Sequence, residues 1–453
     1  MSWAWEELRT SRLPDPRLDR RLPRIVECFA EHPEASCTEA LGRAGAKAAY
    51  RFWSNDRVHA EEVLAPHAEQ TAQRSMQYPV VLVAQDTTEI NLTSHPATQG
   101  MGYLGSPHCR GLLLHSLLAI SPTGVPLGVA RQFTWVRPVT QLGKRHRRRK
   151  TALKEKESQR WLDGLTATAE RLSQHPHVVL MGDRESDLFD LFATPRPGNV
   201  DLLVRVCREK RRVEHPAKYL DKALQSEPVR GQVQIEIPAR PNRQARRAKM
   251  AVRWLSLEVH APCHGPKRPS VRLNFVLVEE IAPPQGEKPV RWLLATTLPV
   301  DSLEDALQCV QWYAYRWTIE RFHFVLKSGC KIEERQLETV EAMERAIPLF
   351  SIVAWRLLWL TLQARETPDA PCTMVLEEYE WKALCATVHA RTRQLRVKPP
   401  TLREAVRMIA QLGGFLGRKC DGEPGPQTLW RGLRRLHDLA RGWLAAQEQY
   451  EVC

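Results

Sequence analysis

Two short stretches, residues 80–84 and 178–182, are apolar at every position rather than at alternate ones. A strand with that pattern is covered on both faces, as in a parallel sheet. Each run leads into an acid, Asp86 and Asp183. Residues 112–120 and 125–136 read as two further strands, with Pro122, Thr123 and Gly124 as the turn between them. Residues 154–172 carry Trp161, Leu162 and Leu165 at helical spacing, and Leu188, Phe189, Leu191 and Phe192 do the same. Strand, acid and helix in succession predict an α/β core.

The flanks have another texture. Residues 18–31 and 37–52 predict two helices, punctuated by Pro14, Pro16 and Pro33. They carry Arg20, Arg21, Arg24, Arg43, Lys47 and Arg51. A small helical DNA-binding domain and a merely solvated charged surface both fit that pattern. Between the core and the C-terminal part, strand-like runs follow one another at 202–207, 232–237, 252–260, 271–279 and 291–297. They predict a mostly β insertion. Helical periodicity returns at about 302 and persists to the end. The expected division is an N-terminal helical domain over 1–64, an α/β domain with the β insertion over 65–352 and a C-terminal helical domain over 353–453.

Composition narrows the partner. The chain of 453 residues is 43% hydrophobic and 26% charged, which is enough to bury a core. Its net charge of +14 and pI near 9.4 suit a polyanion. Eleven scattered cysteines include no Cys-x-x-Cys pair, which argues against a structural zinc site and a disulfide framework. A reducing, cytoplasmic setting is expected. No apolar run long enough for a membrane span is evident, and the N-terminus lacks a signal-peptide pattern. No phosphate-binding Gly-x-x-x-x-Gly-Lys-Ser/Thr loop is present, so no nucleotide cofactor is expected. Residues 144–150 are nearly all cationic and read as a loop suited to phosphate contact.

The chemistry concentrates in residues 312–327. Tyr313, Arg316, Glu320 and Lys327 are spaced three, four and seven apart, which places them on one face of a continuous helix. Trp317, Ile319, Phe322 and Val325 flank them and predict a largely buried helix. Buried charges need partners. A carboxylate completing a metal site, beside cations holding phosphate, supplies those partners.

This Tyr-x-x-Arg-x-x-x-Glu-x-x-x-x-x-x-Lys pattern resembles the signature of the IS-four family of DDE transposases. Gln85-Asp86-Thr87-Thr88 and Asp183-Arg184-Glu185-Ser186-Asp187 resemble that family's first and second catalytic aspartate motifs. Residues 45–55, 279–284, 291–294, 412–415 and 443–446 resemble it in the same order, so most of the chain is covered. The resemblance implies an α/β, RNase H-like catalytic core with an inserted mostly β subdomain, flanked by an N-terminal helical DNA-binding domain and a C-terminal helical dimerisation domain. It implies Asp86, Asp183 and Glu320 as the catalytic, metal-holding triad, with two Mg²⁺ per site and Mn²⁺ as a substitute. Asp86 would hold both ions, and Asp183 and Glu320 one each. It implies DNA contacts by Arg205, Trp292, Tyr313, Arg316 and Lys327, Trp292 stacking on a base flipped out of the duplex end. The implied partner is double-stranded DNA, both terminal inverted repeats and target, gripped by a homodimer. Phe324 stands where the family has a lysine, Arg321 where it has an acid, and 144–150 where it is acidic. A retired DNA-binding relative and a nuclease that never joins strands remain as alternatives.

Overall fold

A computed structural model describes residues 2–141, 156–237, 245–263, 268–388 and 398–451. The cationic run at 144–150 lies outside the described residues. The chain divides into two compact units. One gathers Met1–Arg74, Thr87–Arg145 and Thr318–Cys453, and the other Ser75–Asp86 and His146–Trp317. The architecture is mixed α/β, with ten strands among the described residues and helices before and after them in the chain order.

The first unit opens with α1 (Trp3–Glu7), α2 (Pro16–Glu31), α3 (Cys37–Trp53) and α4 (Ala60–Ser75). Helix α2 begins where Asp15 accepts the Arg17 N–H at 2.8 Å, with Pro16 in the first turn. Its Leu18, Leu22, Ile25, Val26 and Phe29 fall at helical spacing and are buried. Helix α3 starts at the Ser36 cap and kinks at Gly42, whose φ of 68° suits a residue without Cβ.

Strand β1 (Val81–Asn91) runs through both units. In the first unit follow β2 (Gly102–Tyr103), β3 (Arg110–Ile120) and β4 (Pro126–Trp135), with β3 antiparallel to both β2 and β4. In the second unit come α5 (Gln159–Arg171), β5 (Val178–Gly182), α6 (Phe189–Ala193), β6 (Val200–Arg205) and α7 (Leu220–Ser226). Strand β5 pairs in parallel with β1 on one side and β6 on the other, and every residue of β5 is buried. This is the covered parallel sheet that the unbroken apolar runs predict.

The predicted β insertion is an antiparallel series of β7 (Gly231–Ile237), β8 (Arg246–Val259), β9 (Val271–Glu280) and β10 (Arg291–Thr296). Each pairs with the next, and β10 closes the series against β6. Strand β8 starts six residues before the predicted 252. Its basic opening alternates, with Ala248 and Met250 buried and Arg247 and Lys249 exposed. Arg246 is held by Glu280 at 3.0 Å and by Glu287.

Next are α8 (Leu303–Tyr315), α9 (Trp317–Phe324), α10 (Val340–Glu366), α11 (Glu378–Val388), α12 (Leu402–Leu412) and α13 (Pro426–Glu451). Capping boxes start α8 at Ser302 and α12 at Thr401. Helix α10 is long and apolar enough to cross a membrane, yet 78% of its apolar window is buried within the fold, as in a core helix. The single helix expected over 312–327 is corrected. It is interrupted at Arg316 between α8 and α9, and a π turn, Val325–Gly329, follows α9.

Candidate active site

Six of the eight expected site residues lie in the second unit. The register between β1 and β5 pairs Ala84 with Met181. Two residues further along, where the β1–β5 pairing stops, Asp86 and Asp183 stand level, Asp183 just past the end of β5 and Asp86 midway along β1 rather than at a strand end. Adjacent strands lie about 4.8 Å apart, so the two carboxylates share one edge. Ligand sites in α/β sheets occupy that edge. Asp183 also has a local task. Its Oδ1 accepts the Glu185 N–H at 2.8 Å, and Ser186 Oγ donates to its carbonyl at 2.7 Å. Gly182 allows this tight turn, because a Cβ there would meet Ser186 Oγ at 2.2 Å. Asp187, four residues on, is buried instead. Its Oδ2 accepts the N–H groups of Cys207 and Arg208 at 2.9 and 2.8 Å, and its Oδ1 pairs with Arg211. The first acid of Asp183-Arg184-Glu185-Ser186-Asp187 therefore faces the edge, and the last is a structural clamp.

Cations surround the pair. Arg316, at the end of α8, brings Nη1 to 3.9 Å from Asp86 Oδ2, an ion pair too long for a direct hydrogen bond. Tyr313 is only 6% exposed and lies beside Arg316 and Arg205. Burial pushes its phenol above the ordinary range, with the two arginines opposing that, so it stays protonated as a donor. Arg205 donates from Nη2 to the Arg291 carbonyl at 3.2 Å. Burial lowers its pKa, and so do the like charges of Arg184 and Arg316. Trp292 packs edge-on to Tyr313, ring centroids 6.2 Å apart.

Glu320 and Lys327 belong to the first unit. Glu320 lies in the middle of α9, half-buried. Ile319, Phe322 and Val325 are buried as expected, but Trp317 is 55% exposed, contrary to the buried flank expected for it. Lys327 sits in the π turn, which ends the regular helical spacing, and pairs with Glu333 at 3.3 Å. Among the described residues, no three of His, Cys, Asp and Glu form a ready metal cluster. The donors that gather are carboxylate oxygens from Asp86 and Asp183. That chemistry suits a hard divalent cation rather than zinc or copper.

Three family models match the chain: transposase DNA-binding over residues 1–58, transposase DDE domain over 140–355, and transposase Tn5 dimerisation domain over 352–452. These are the domains of a DDE transposase. The transposase binds DNA through the first and forms homodimers through the third. Its DDE domain implies dependence on a divalent metal. Asp183, Arg205, Trp292, Tyr313, Arg316, Glu320 and Lys327 fall within the DDE match, and Asp86 precedes it.

The sequence reading missed one feature of the transposase. A cavity of about 480 Å³ in the second unit is lined by Arg184, Arg205, Glu209, Lys288, Arg291 and Trp292, among others. Glu209 and Glu279 hold Arg291 at 2.5 and 3.4 Å. Arg205 and Trp292 were expected, but Arg184, Lys288 and Arg291 were not. The adjacency of Arg184 to Asp183, and of Arg291 to Trp292, was the available signal.

Proposed function

We propose that this transposase is an active cut-and-paste enzyme of the IS-four family, close in type to the transposase of Tn5, with an RNase H-like core. Parallel β1, β5 and β6, with the β3–β4 hairpin following β1 in the chain, support that core. The protein binds the terminal inverted repeats of its element as a homodimer that pairs two ends. Asp86, Asp183 and Glu320 form the catalytic triad, and they hold two Mg²⁺, with Mn²⁺ as a substitute. When bound, the ions activate the attacking oxygen and stabilise the leaving one.

The chain's own residues supply positioning and charge. Arg316 and Arg205 bind the phosphates beside the scissile bond, Lys327 binds a further one, and the protonated Tyr313 donates to one. Trp292 gives a flipped base an aromatic face within a cationic cavity. Water cuts one strand and leaves a 3′ hydroxyl. That hydroxyl attacks the opposite strand and forms a hairpin end. Water opens the hairpin, and the 3′ ends attack target DNA. Each joining step exchanges one phosphodiester for another, so no nucleotide is consumed.

One observation carries this reading. Asp86 and Asp183 stand level on neighbouring strands with Arg316 against them, in a chain whose DDE match includes Asp183 and Glu320. The test is excision from a supercoiled plasmid bearing the repeats that flank the gene, with Mg²⁺. The parent is expected to release the element with hairpin ends, and Glu320→Ala to bind without cutting. Binding without cutting by both proteins supports a retired DNA-binding relative. Cutting without joined products supports a nuclease.

A further inference from the structure

Within the first unit, two arginines of the DDE match reach back to the DNA-binding match, one at each end of α3. Arg335 is 7% exposed and lies between the rings of Phe29 and Phe350, at 5.0 and 4.6 Å. Its fork is directed at backbone carbonyls. Nη2 donates to Pro33 at 2.7 Å and Nη1 to Ala35, just before the Ser36 cap of α3. Nε and Nη2 also donate to the Cys330 carbonyl, at 3.2 and 2.6 Å, in the turn that follows α9 and the π turn. One guanidinium thus ties the start of α3 to the segment behind Glu320.

Arg345, on α10, does the same at the other end. Nη1 donates to the Trp53 carbonyl at 3.0 Å, Nε to the Val58 carbonyl at 2.9 Å, and Nη2 pairs with Asp56 at 3.1 Å. Trp53 is the last residue of α3. Between these anchors α3 exposes Arg43, Lys47 and Arg51 at four-residue intervals, with Tyr50 40% exposed beside them. That spacing makes one basic face, suited to the phosphates and base edges of duplex DNA. Arg345 holds the segment that bears this face, and Arg335 holds the segment before the Gly42 kink, so the two together fix its orientation.

We infer that Arg335 and Arg345 are positioning residues that fix the DNA-reading face of α3 relative to the element bearing Glu320, and so set where the DNA end is cut. The inference rests on the reading of α3 as an end-binding helix in an active transposase. Arginine is required for this task. A lysine keeps the charge but has a single donor atom, which cannot bridge two chain segments in a fixed plane.

The test uses the full-length protein with Arg335→Lys and Arg345→Lys, on a labelled duplex carrying the flanking repeat. Melting, end binding and the nick position at single-nucleotide resolution are measured together. Both variants are expected to fold and to bind the end much as the parent does. Cleavage is expected to fall by up to about 100-fold, the effect of misplacing reacting groups by roughly 1 Å, with nicks scattered over neighbouring positions. Nicks that stay at the parental position, with activity tracking the folded fraction, overturn the inference and leave the proposed function standing. A parent that never nicks the end overturns both. If Arg345→Lys, whose partner turn is exposed, loses its melting transition, the contact is a folding element and the inference falls.

Discussion

Arginines in two regions of this transposase are satisfied in opposite ways. In the second unit, burial lowers the pKa of Arg205 and the like charges of Arg184 and Arg316 lower it further, and Arg316 stands 3.9 Å from Asp86. In the first unit, Arg335 and Arg345 direct their forks at carbonyls 2.6–3.2 Å away. Crowded like charge opposes the compact state and is retained where a polyanion is to arrive. Carbonyl-bound arginine stabilises the fold directly. The same side chain is thus left crowded by like charge in one region, as the proposed DNA site requires, and spent on backbone carbonyls in the other.

The largest expected effect isolates chemistry from both kinds of arginine. Asp183→Asn should reduce end cleavage by at least about 1,000-fold, roughly 4 kcal/mol of barrier, while end binding measured by fluorescence anisotropy persists. Asp187→Ala, only four residues away, should act on the fold instead. It leaves Arg211 buried without its carboxylate and should cost about 3–5 kcal/mol in denaturant unfolding. Equal melting of the two variants would break the division of labour between these acids.

A third expectation concerns acid. Burial alone would raise the Glu7 carboxyl, but the Nδ1–H of His67 at 2.6 Å and bidentate Arg74 hold it down to about 2 from 4.5. His67 Nε2 accepts the Val129 N–H at 2.9 Å, and burial keeps the ring neutral. A depressed carboxyl stabilises the fold above its ordinary pKa and loses that as pH falls toward 2. Stability should therefore decline below pH 4.5, by up to about 3 kcal/mol. Glu7→Gln should flatten that decline.

Smaller effects sharpen the comparison of arginines. Trp292→Ala should weaken end binding by about 1–3 kcal/mol without moving the melting temperature much. Arg205→Ala should reduce the salt dependence of DNA binding by about one unit of slope and leave melting intact. Arg345→Ala should do the reverse, lowering the melting temperature and keeping the slope.

What the sequence reveals follows the range of each interaction. Strands β1 and β5 are legible because burial on both faces leaves an unbroken apolar run. Helices α2 and α3 are legible from their apolar spacing and the prolines that flank them. The start of β8 is hidden, because Arg246 faces inward and is satisfied by Glu280 and Glu287 from distant positions. Both aspartates and Glu320 announce themselves by local motifs. The break at Arg316 and the exposure of Trp317 do not, since helical periodicity assumes one uninterrupted axis. Arg335 and Arg345 look like any charged residues, because their carbonyl partners lie about three hundred positions away.

The central claim is that Asp183 is a metal-holding member of the catalytic triad. The most direct test is Asp183→Cys, assayed for end cleavage with Mg²⁺ and then with Mn²⁺. A thiolate is a poor ligand for Mg²⁺ and a better one for softer ions. The account predicts cleavage lost with Mg²⁺ and partly restored with Mn²⁺. Equal activity with both ions, or restoration by Mn²⁺ of Asp183→Ala as well, would contradict it.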